Sequence, residues 1–377
     1  MSRKAPLFER LFIHWRCYFF NRRCYRLPVM VCAWVAVLAA CTPRDRADQV
    51  LENYRYRLSN VFELTATSDH LQLLEPLRIS YPEQRQLKRE IPALNINLLD
   101  FLRLSRCDLQ RLLGERNSSL GMVMADSQRW LYEREFIQLA HRCIATLADD
   151  PEAQDLIVML TQAIQHKQTH LAAQYWNATW GSSEFQTLFS LGAYPLTLAE
   201  LRQRPVVLEQ ALQTLASTDS RWQRWSPEQR RQKLEQSLAV VGSEKYLGRL
   251  RMTMNLVTQE LDYLSEKIAV AQARQKICPA GYLSKRGKVM ETVFQRFYIT
   301  EVQPLASYLH QRVEAMRSLL LSIGGGDWPQ PLQAYAGEVW GESPTSEWGQ
   351  FKHSVQVHTR LWQDLLKSCG KAPGSRP

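Results

Sequence analysis

The chain lacks an apolar run long enough to cross a membrane as a helix. Such a helix needs about 20 apolar residues, whereas the uncharged run from Val29 to Ala40 has twelve and follows Pro28. A run of this length suits the hydrophobic region of a secretory signal peptide, which spans about 7–15 residues. The alternatives are an uncleaved N-terminal anchor and a buried helix.

Recognisable catalytic and metal-binding motifs are also missing. There is no C-x-x-C pair and no G-x-S-x-G sequence, and Gly287-Lys288 lacks the first Gly and the Ser or Thr of a P-loop. His166 and His170 have the spacing that lets two imidazoles share a metal on a helix, but the Glu of a metalloprotease is absent between them. The sequence therefore predicts no metal, no cofactor and no known catalytic residue.

The sequence around Cys41 resembles the lipobox of bacterial lipoproteins. Arg22, Arg23 and Arg26 precede the apolar run, which ends in Leu38-Ala39-Ala40-Cys41. The resemblance implies that residues 1–40 are a signal peptide, cleaved before Cys41, and that Cys41 is acylated. Stable anchoring needs at least two lipid chains, which such lipoproteins carry.

The resemblance also implies a location. Residue 42 is Thr, not the Asp that retains lipoproteins in the inner membrane of Gram-negative bacteria. We therefore expect a protein anchored by lipid to the outer membrane and facing the periplasm. Export by the general secretory route is favoured over the twin-arginine route, because Arg26 stands where the twin-arginine signal prefers an apolar residue.

Processing removes most of the positive charge. The whole chain carries +10, but residues 1–40 hold seven Lys or Arg and one Glu, so residues 41–377 carry 40 basic and 36 acidic side chains. A net charge of +4 is ordinary for a domain of 337 residues and gives no reason to expect a nucleic-acid partner. A chain of this length can bury a sizeable core.

Four cysteines remain after Cys41, an even number that permits two disulfides in an exported chain. Four cysteines allow three pairings. We favour Cys107–Cys143 and Cys278–Cys369, because each pair ties segments within one half of the chain. Buried free thiols are the alternative.

Helical periodicity predicts an all-α multi-helix bundle over residues 48–370. A tether covers residues 41–47, a subdivision is possible near residue 195, and residues 371–377 form a disordered tail. The strongest pattern runs from Leu247 to Ala271, where apolar residues alternate spacings of three and four. It indicates either a coiled-coil surface for a partner or, as we favour, a long helix packed inside its own bundle.

A second long helix is predicted from Lys288 to Leu321, with a kink near Pro304. Cys278 to Gly281 would form the turn before it, which makes the two long helices an antiparallel pair in the C-terminal half. Further helices are predicted over residues 94–113, along the stripe from Phe136 to Leu147, and after the capping boxes that begin at Thr197 and Ser226.

One polar segment is a candidate cleft. Arg116 to Gly121 joins two helical stretches, and its polar groups would face those of the following helix. Helix capping explains the same residues, and Arg129 and Glu133 would pair on the helix surface. The candidate cleft residues are Arg116, Asn117, Ser118, Tyr132 and Glu133.

Several segments together are similar to a family of gammaproteobacterial lipoproteins of unknown function. They are the lipobox, Leu104 to Leu109, Arg116 to Gly121, Tyr132 to Phe136 and Val302 to Ala306. Membership implies a lipoprotein that faces the periplasm and has no assigned activity.

The expected function is that of a non-enzymatic envelope protein that binds or scaffolds another envelope protein. It is held to the membrane by its lipid, and no oligomeric state is predicted. The alternative is an envelope hydrolase or cell-wall enzyme with its site near Arg116, Asn117 and Glu133.

Overall fold

The computed structural model describes residues 46–64, 77, 79–94, 102–107, 109–217, 222–323 and 328–371, which belong to one compact unit. The predicted signal peptide, Cys41, nearly all of the predicted tether and the tail from residue 372 lie outside the described residues. Within those ranges the chain forms α-helices, short 3-10 helices and one π-helical segment, with no strand. The predicted all-α class is confirmed.

The α-helices of the first half of the described chain include two long consecutive helices that run antiparallel. They are α1 (Ala47–Phe62), α2 (Gln84–Leu87), α3 (Leu109–Asn117), α4 (Ser119–Met122), α5 (Asp126–Leu147), α6 (Gln154–Ala178) and α7 (Ser183–Phe189).

The second half of the described chain contains the longest helix, α11. Its helices are α8 (Leu198–Arg202), α9 (Val206–Ala216), α10 (Pro227–Ser243), α11 (Tyr246–Arg274), α12 (Lys285–Val293), α13 (Gln303–Leu321), α14 (Gln330–Trp340) and α15 (Glu347–Ser368).

Helices α11 and α15 run parallel at the centre of the larger core. Arg251 Nε donates to Glu347 Oε2 at 2.7 Å, and further along Ser265 Oγ lies 2.8 Å from His358 Nδ1. Helix α1 runs in the same direction beside them. Its first residue, Ala47, is linked through the backbone of Leu196 to Thr253 in the second turn of α11, and its Arg55 forms a buried ion pair with Glu260, farther along α11, at 3.0 Å.

The segment from α12 to α13 runs antiparallel to α1 and α11. Arg286 Nη2, at its start, donates to the carbonyl of Val61 near the end of α1 at 2.8 Å. Farther along, Tyr298 packs against the Tyr54 ring at 6.2 Å between centroids. The predicted antiparallel pair in the C-terminal half is thus present.

The apolar stripe of α11 is buried inside the chain. Six of its predicted seam residues, Leu247, Leu250, Met254, Val257, Leu261 and Leu264, expose at most 1 % of their surface. The interpretation as an internal bundle helix is confirmed, and the coiled-coil surface is wrong, because neighbouring helices of the same chain already cover the stripe.

A π-helical segment, Phe294–Val302, joins α12 to α13 immediately before Pro304. Proline has no N–H to donate, so the usual bond to the carbonyl four residues earlier cannot form. At the residue before it, the backbone N–H of Gln303 donates to the carbonyl of Tyr298, five residues back, which is the π-helical pattern. The predicted departure from regular helix therefore lies just upstream of the proline and places Tyr298 in the core.

The antiparallel hairpin of α5 and α6 carries a second, smaller core. Phe136, Leu139, Cys143 and Leu147 are buried there, as the stripe predicted. At the other end of the hairpin, Trp130 packs on Tyr175 with ring centroids 4.9 Å apart and belongs to the larger core. The middle of the hairpin therefore lies where one core gives way to the other.

Each core contains one disulfide, and the predicted pairs are the ones that form. Cys107–Cys143 ties the segment before α3 to α5, and Cys278–Cys369 ties the turn after α11 to the end of α15. The single helix predicted over residues 94–113 is wrong: Leu94 is not helical, and Cys107 adopts an extended conformation (ψ 151°) between a 3-10 turn and α3. That extended residue brings its sulfur to Cys143.

Local signals in the sequence are satisfied as expected. Thr197 and Ser226 form complete capping boxes at the starts of α8 and α10. The larger core continues through residues on both sides of position 195, including Phe189 and Leu196. No helix within the described ranges is both long enough and apolar enough to span a bilayer.

Candidate functional site

A cleft of about 760 Å³ opens along the middle of the α5–α6 hairpin. One wall is α5 with Arg129, Glu133 and Phe136, and the second is α6 with Lys167 and Gln174. The end of α3, the residue Met122 of α4 and residues 91–94 close the remaining sides. Spacings of three and four place the side chains of each helix on one face, so both helices present a row to the cleft.

Four of the five predicted cleft residues line this cleft: Arg116, Asn117, Tyr132 and Glu133. Ser118 does not. Its hydroxyl donates to the carbonyl of Glu115 at 2.7 Å and accepts the N–H of Gly121 at 3.1 Å, so it caps α4. The polar segment thus has both predicted roles: Arg116 and Asn117 line the cleft, and Ser118 caps a helix.

The predicted surface pair of Arg129 with Glu133 is wrong. Glu133 forms its ion pair with Lys167 across the hairpin, where both side chains are largely buried. The Lys167 ammonium also lies 4.4 Å from the centroid of the Phe136 ring. The partner of Glu133 is therefore Lys167 on the facing helix, in a less solvated position, and not Arg129 on the same helix.

The cleft is also lined by two histidines, which the sequence analysis did not place there. His166 and His170 have ring centroids 4.5 Å apart, and His170 Nδ1 donates to the His166 carbonyl at 2.8 Å. A neutral His170 therefore keeps Nε2 as an acceptor. Burial lowers the pKa of His166, and the positive charge of Lys167 adds to the effect. Their spacing of four residues, which continues to Gln174, is the sequence signal that could have placed all three on one face of α6.

Three buried nitrogen atoms at the cleft have no hydrogen-bond partner among the described residues. They are Arg129 Nε, His166 Nδ1 and Gln174 Nε2. Gln174 exposes only 3 % of its surface. Buried polar groups of folded proteins are nearly always paired, and an unpaired one costs about 1–3 kcal/mol. Three such atoms are thus grouped at one cleft.

The lining carries excess positive charge. Arg116, Arg129 and Lys167 face a single carboxylate, Glu133, which is already paired with Lys167. The Arg116 guanidinium donates to the carbonyl of Gly121, which satisfies a hydrogen bond without neutralising the charge. Two guanidinium groups, one on α5 and one at the end of α3, are therefore left without a carboxylate from the described part of the chain.

The lining offers little for nucleophilic catalysis. Ser118 is turned away, and burial raises the pKa of Tyr132, which keeps its phenol neutral. No cluster of three or more His, Cys, Asp or Glu side chains suited to a metal is found in the described ranges. The arrangement can hold an anion and donate hydrogen bonds to it.

A second, apolar depression of about 270 Å³ lies beside α14. Trp180, Trp328, Trp340 and Tyr335 line it, with Leu320 of α13. Trp180 is fully buried and its Nε1 donates to the carbonyl of Ile323 at 3.0 Å. Most tryptophans of the described chain are core residues, although the indole nitrogens of Trp222, Trp328, Trp340 and Trp348 have no partner among the described residues.

A serine, a histidine and a tyrosine also meet in the larger core. Trp362 Nε1 donates to Tyr54 Oη at 2.7 Å, so the Tyr54 hydroxyl donates to His358 Nε2, also at 2.7 Å. His358 Nδ1 then donates to Ser265, whose hydroxyl donates to the carbonyl of Leu261. Every member has a partner and His358 is completely buried. This chain of hydrogen bonds is structural, and the sequence pattern did not reveal it.

These features define an all-α protein with a cationic cleft in a helical hairpin. The chain matches the model of the family described as "protein of unknown function (DUF3080)" over residues 51–373, and it belongs to that family. No curated protein and no solved structure matches it significantly. The resemblance to a family of unknown function is confirmed, while the lipoprotein features stay predictions.

Proposed function

We propose that this protein is a lipid-anchored envelope protein with a non-enzymatic binding function, and that the cleft of the α5–α6 hairpin is its binding site. The anchor is the acylated Cys41, and the described helices face the periplasm from the outer membrane. A partner from the envelope, or a molecule presented by one, occupies the cleft.

One observation carries the binding role: buried polar atoms without partners converge on the cleft. Gln174 Nε2, His166 Nδ1 and Arg129 Nε would each gain a hydrogen bond from a ligand. A cleft of about 760 Å³ also falls within the roughly 300–1,000 Å³ typical of ligand sites. Binding would recover part of the free energy that these unpaired groups cost the folded protein.

Site-specific photocrosslinking in living cells tests the binding role. A photoreactive amino acid in place of Asn117 lies on the cleft lining, whereas one in place of Arg142 lies exposed on α5, outside the lining. We expect an envelope-derived adduct from position 117 and none from position 142. Equal labelling of both positions, or none at either, would overturn the proposal.

Mass spectrometry of the intact protein tests the anchor. We expect a chain that begins at Cys41 and carries the mass of at least two acyl chains. The Cys41→Ser variant is the matched control and should carry no lipid mass. A purified protein that retains residues 1–40 without added lipid would refute both acylation and the proposed location.

A hydrolase is the second candidate, because Arg116, Asn117 and Glu133 do converge in the cleft. Glu133 would be the general base, but its carboxylate is held by Lys167. Hydrolysis of cell-wall fragments by the purified protein, abolished in Glu133→Gln and retained in Glu115→Gln, would favour this candidate. Glu115 is an exposed residue of α3 and does not line the cleft.

A further inference from the structure

We infer that the ligand of the cleft is an anionic amphiphile: a phosphate or carboxylate group attached to an apolar chain. The inference rests on the proposed binding function and specifies the chemistry of its ligand. Charge, buried donors and exposed apolar residues each support one part of it.

The cationic part of the site spans two walls. Arg129 projects from α5 and Arg116 from the end of α3, and neither contacts a carboxylate of a described residue. A guanidinium presents several N–H donors in a planar fork that matches phosphate and carboxylate oxygens. An anion between the two groups would supply the missing counter-charge.

A neutral donor lies deeper in the same cleft. The Gln174 side chain is 3 % exposed, and its Nε2 atom has no partner among the described residues. Its two N–H groups can donate to an anion oxygen, since an amide nitrogen has no acceptor capacity. About two helical turns away on α6, the His166 ring offers a further nitrogen, Nδ1, without a partner in the described chain. The Gln174 amide therefore adds an uncharged donor to the two guanidinium groups.

Part of the cleft lining is apolar. Leu113 and Leu171 belong to it, and so does Met122 of α4, which exposes 64 % of its surface. Next to it, Leu120 and Val123 are exposed by 83 % and 79 %. Neighbouring exposed apolar side chains of this size mark a contact surface. An apolar chain that leaves the cleft here would cover them.

Calorimetric titration of the full-length protein in an uncharged maltoside detergent tests the inference. The probes are octyl phosphate, octanoate, octyl glucoside and inorganic phosphate. We expect octyl phosphate and octanoate to bind, with octyl glucoside and inorganic phosphate at least tenfold weaker. The ratio of the affinities for octyl phosphate and octanoate then shows whether the site prefers a phosphate or a carboxylate. If octyl glucoside bound as tightly as octyl phosphate, the ligand would not need to be anionic. If inorganic phosphate bound as tightly as octyl phosphate, the ligand would not need an apolar chain. Either result would overturn the inference.

Two matched variants locate the site. Arg129→Gln should weaken octyl phosphate binding about 10- to 100-fold, the usual effect of losing a hydrogen bond to a charged group. Arg142→Gln, an exposed position of the same helix outside the lining, should leave it unchanged. If both variants weakened octyl phosphate binding equally, the ligand would not bind at this cleft. If position 117 crosslinks in cells while no anionic probe binds, the ligand chemistry is wrong and the binding function stands.

Discussion

A hydrogen-bonded network in the larger core and the cleft beside the smaller core treat buried polar groups in opposite ways. In the larger core, Trp362, Tyr54, His358 and Ser265 form one directed chain of hydrogen bonds with no atom left over. In the cleft beside the smaller core, Gln174 and two further side chains keep nitrogen atoms without partners in the described chain. The network and the cleft both bury polar atoms, yet only the network satisfies all of its members.

The difference separates structural polarity from a binding site. A serine beside a histidine attracts attention as chemistry, but His358 is completely buried and its neighbours fix its tautomer. Such a network holds helices in register. The cleft lacks such a network, and we propose that a ligand supplies the missing partners. The following variants test this contrast, from the largest expected effect to the smallest.

Loss of a disulfide should have the largest effect on stability. In the chain-entropy model, bridges that close loops of 91 and 36 residues contribute roughly 4–5 and 4 kcal/mol. We expect Cys278→Ser with Cys369→Ser to lower the free energy of unfolding slightly more than Cys107→Ser with Cys143→Ser. Urea denaturation of both double variants measures this.

The two disulfide variants should differ in a second way. Cys107–Cys143 holds the segment before α3 against α5, one wall of the cleft. Its loss should weaken octyl phosphate binding, whereas loss of Cys278–Cys369 should leave binding unchanged in the fraction that remains folded. Equal weakening in both would show that the cleft does not depend on its own core.

Removal of one hydroxyl should break the network of the larger core. Tyr54→Phe deprives both His358 Nε2 and the Trp362 indole N–H of their partner. Two unpaired buried groups should lower the free energy of unfolding by about 2–4 kcal/mol. Tyr56→Phe, at an exposed position of α1, is the control and should change it by less than about 0.5 kcal/mol. Similar values for the two variants would refute the network.

Acid should destabilise the protein through His358. Burial lowers the pKa of His358 from 6.5 to about 3 in the folded state. Between these values the unfolded chain takes up a proton that the folded chain does not, so stability is constant above pH 6.5 and falls below it. The expected loss by pH 5.5 is about 1.4 kcal/mol.

A variant isolates this contribution from other titrating groups. Burial raises the pKa of Glu260 to about 7, so that carboxyl takes up a proton in the folded state and opposes the loss. The difference between the denaturation profiles of the original protein and His358→Gln, measured from pH 7.5 to 5.5, cancels Glu260. A flat difference would contradict the assignment.

The smallest expected effect on stability is in the cleft. Gln174→Leu removes an amide whose Nε2 has no partner in the described chain, so we expect the free energy of unfolding to stay the same or to rise by up to about 1 kcal/mol. Octyl phosphate binding should weaken. Asn177, three residues later on α6, is the matched control because its amide is paired with both backbone groups of Arg89. Asn177→Leu should destabilise the protein by about 2 kcal/mol.

Much of the fold could be predicted because its signals are local. The stripe of α11, the caps at Thr197 and Ser226, and the proline at 304 each depend on residues within a few turns of one another. The disulfide pairs followed from their position within each half of the chain. Cys107 was misjudged as helical, since its extended backbone is imposed by a partner 36 residues away.

The candidate site could be predicted in part. Arg116 and Asn117 were found because they interrupt a helical pattern, and Glu133 because it follows nearby. The partner of Glu133 was missed, because Lys167 approaches from the facing helix and no periodicity within α5 reports that approach. His166, His170 and Gln174 were also not predicted at the site, because only the packing of α6 against α5 decides that their face lines the cleft.

The amino-acid order alone determined the helical class, the likeness of the first forty-one residues to a lipoprotein signal, and the residues that each helix turns inward. These properties depend on neighbours along the chain. Tertiary structure alone decided which buried polar atoms find partners. Pairing depends on which helices meet, so Tyr54 and His358, 304 residues apart, satisfy each other while Gln174 Nε2 has no partner in the described chain.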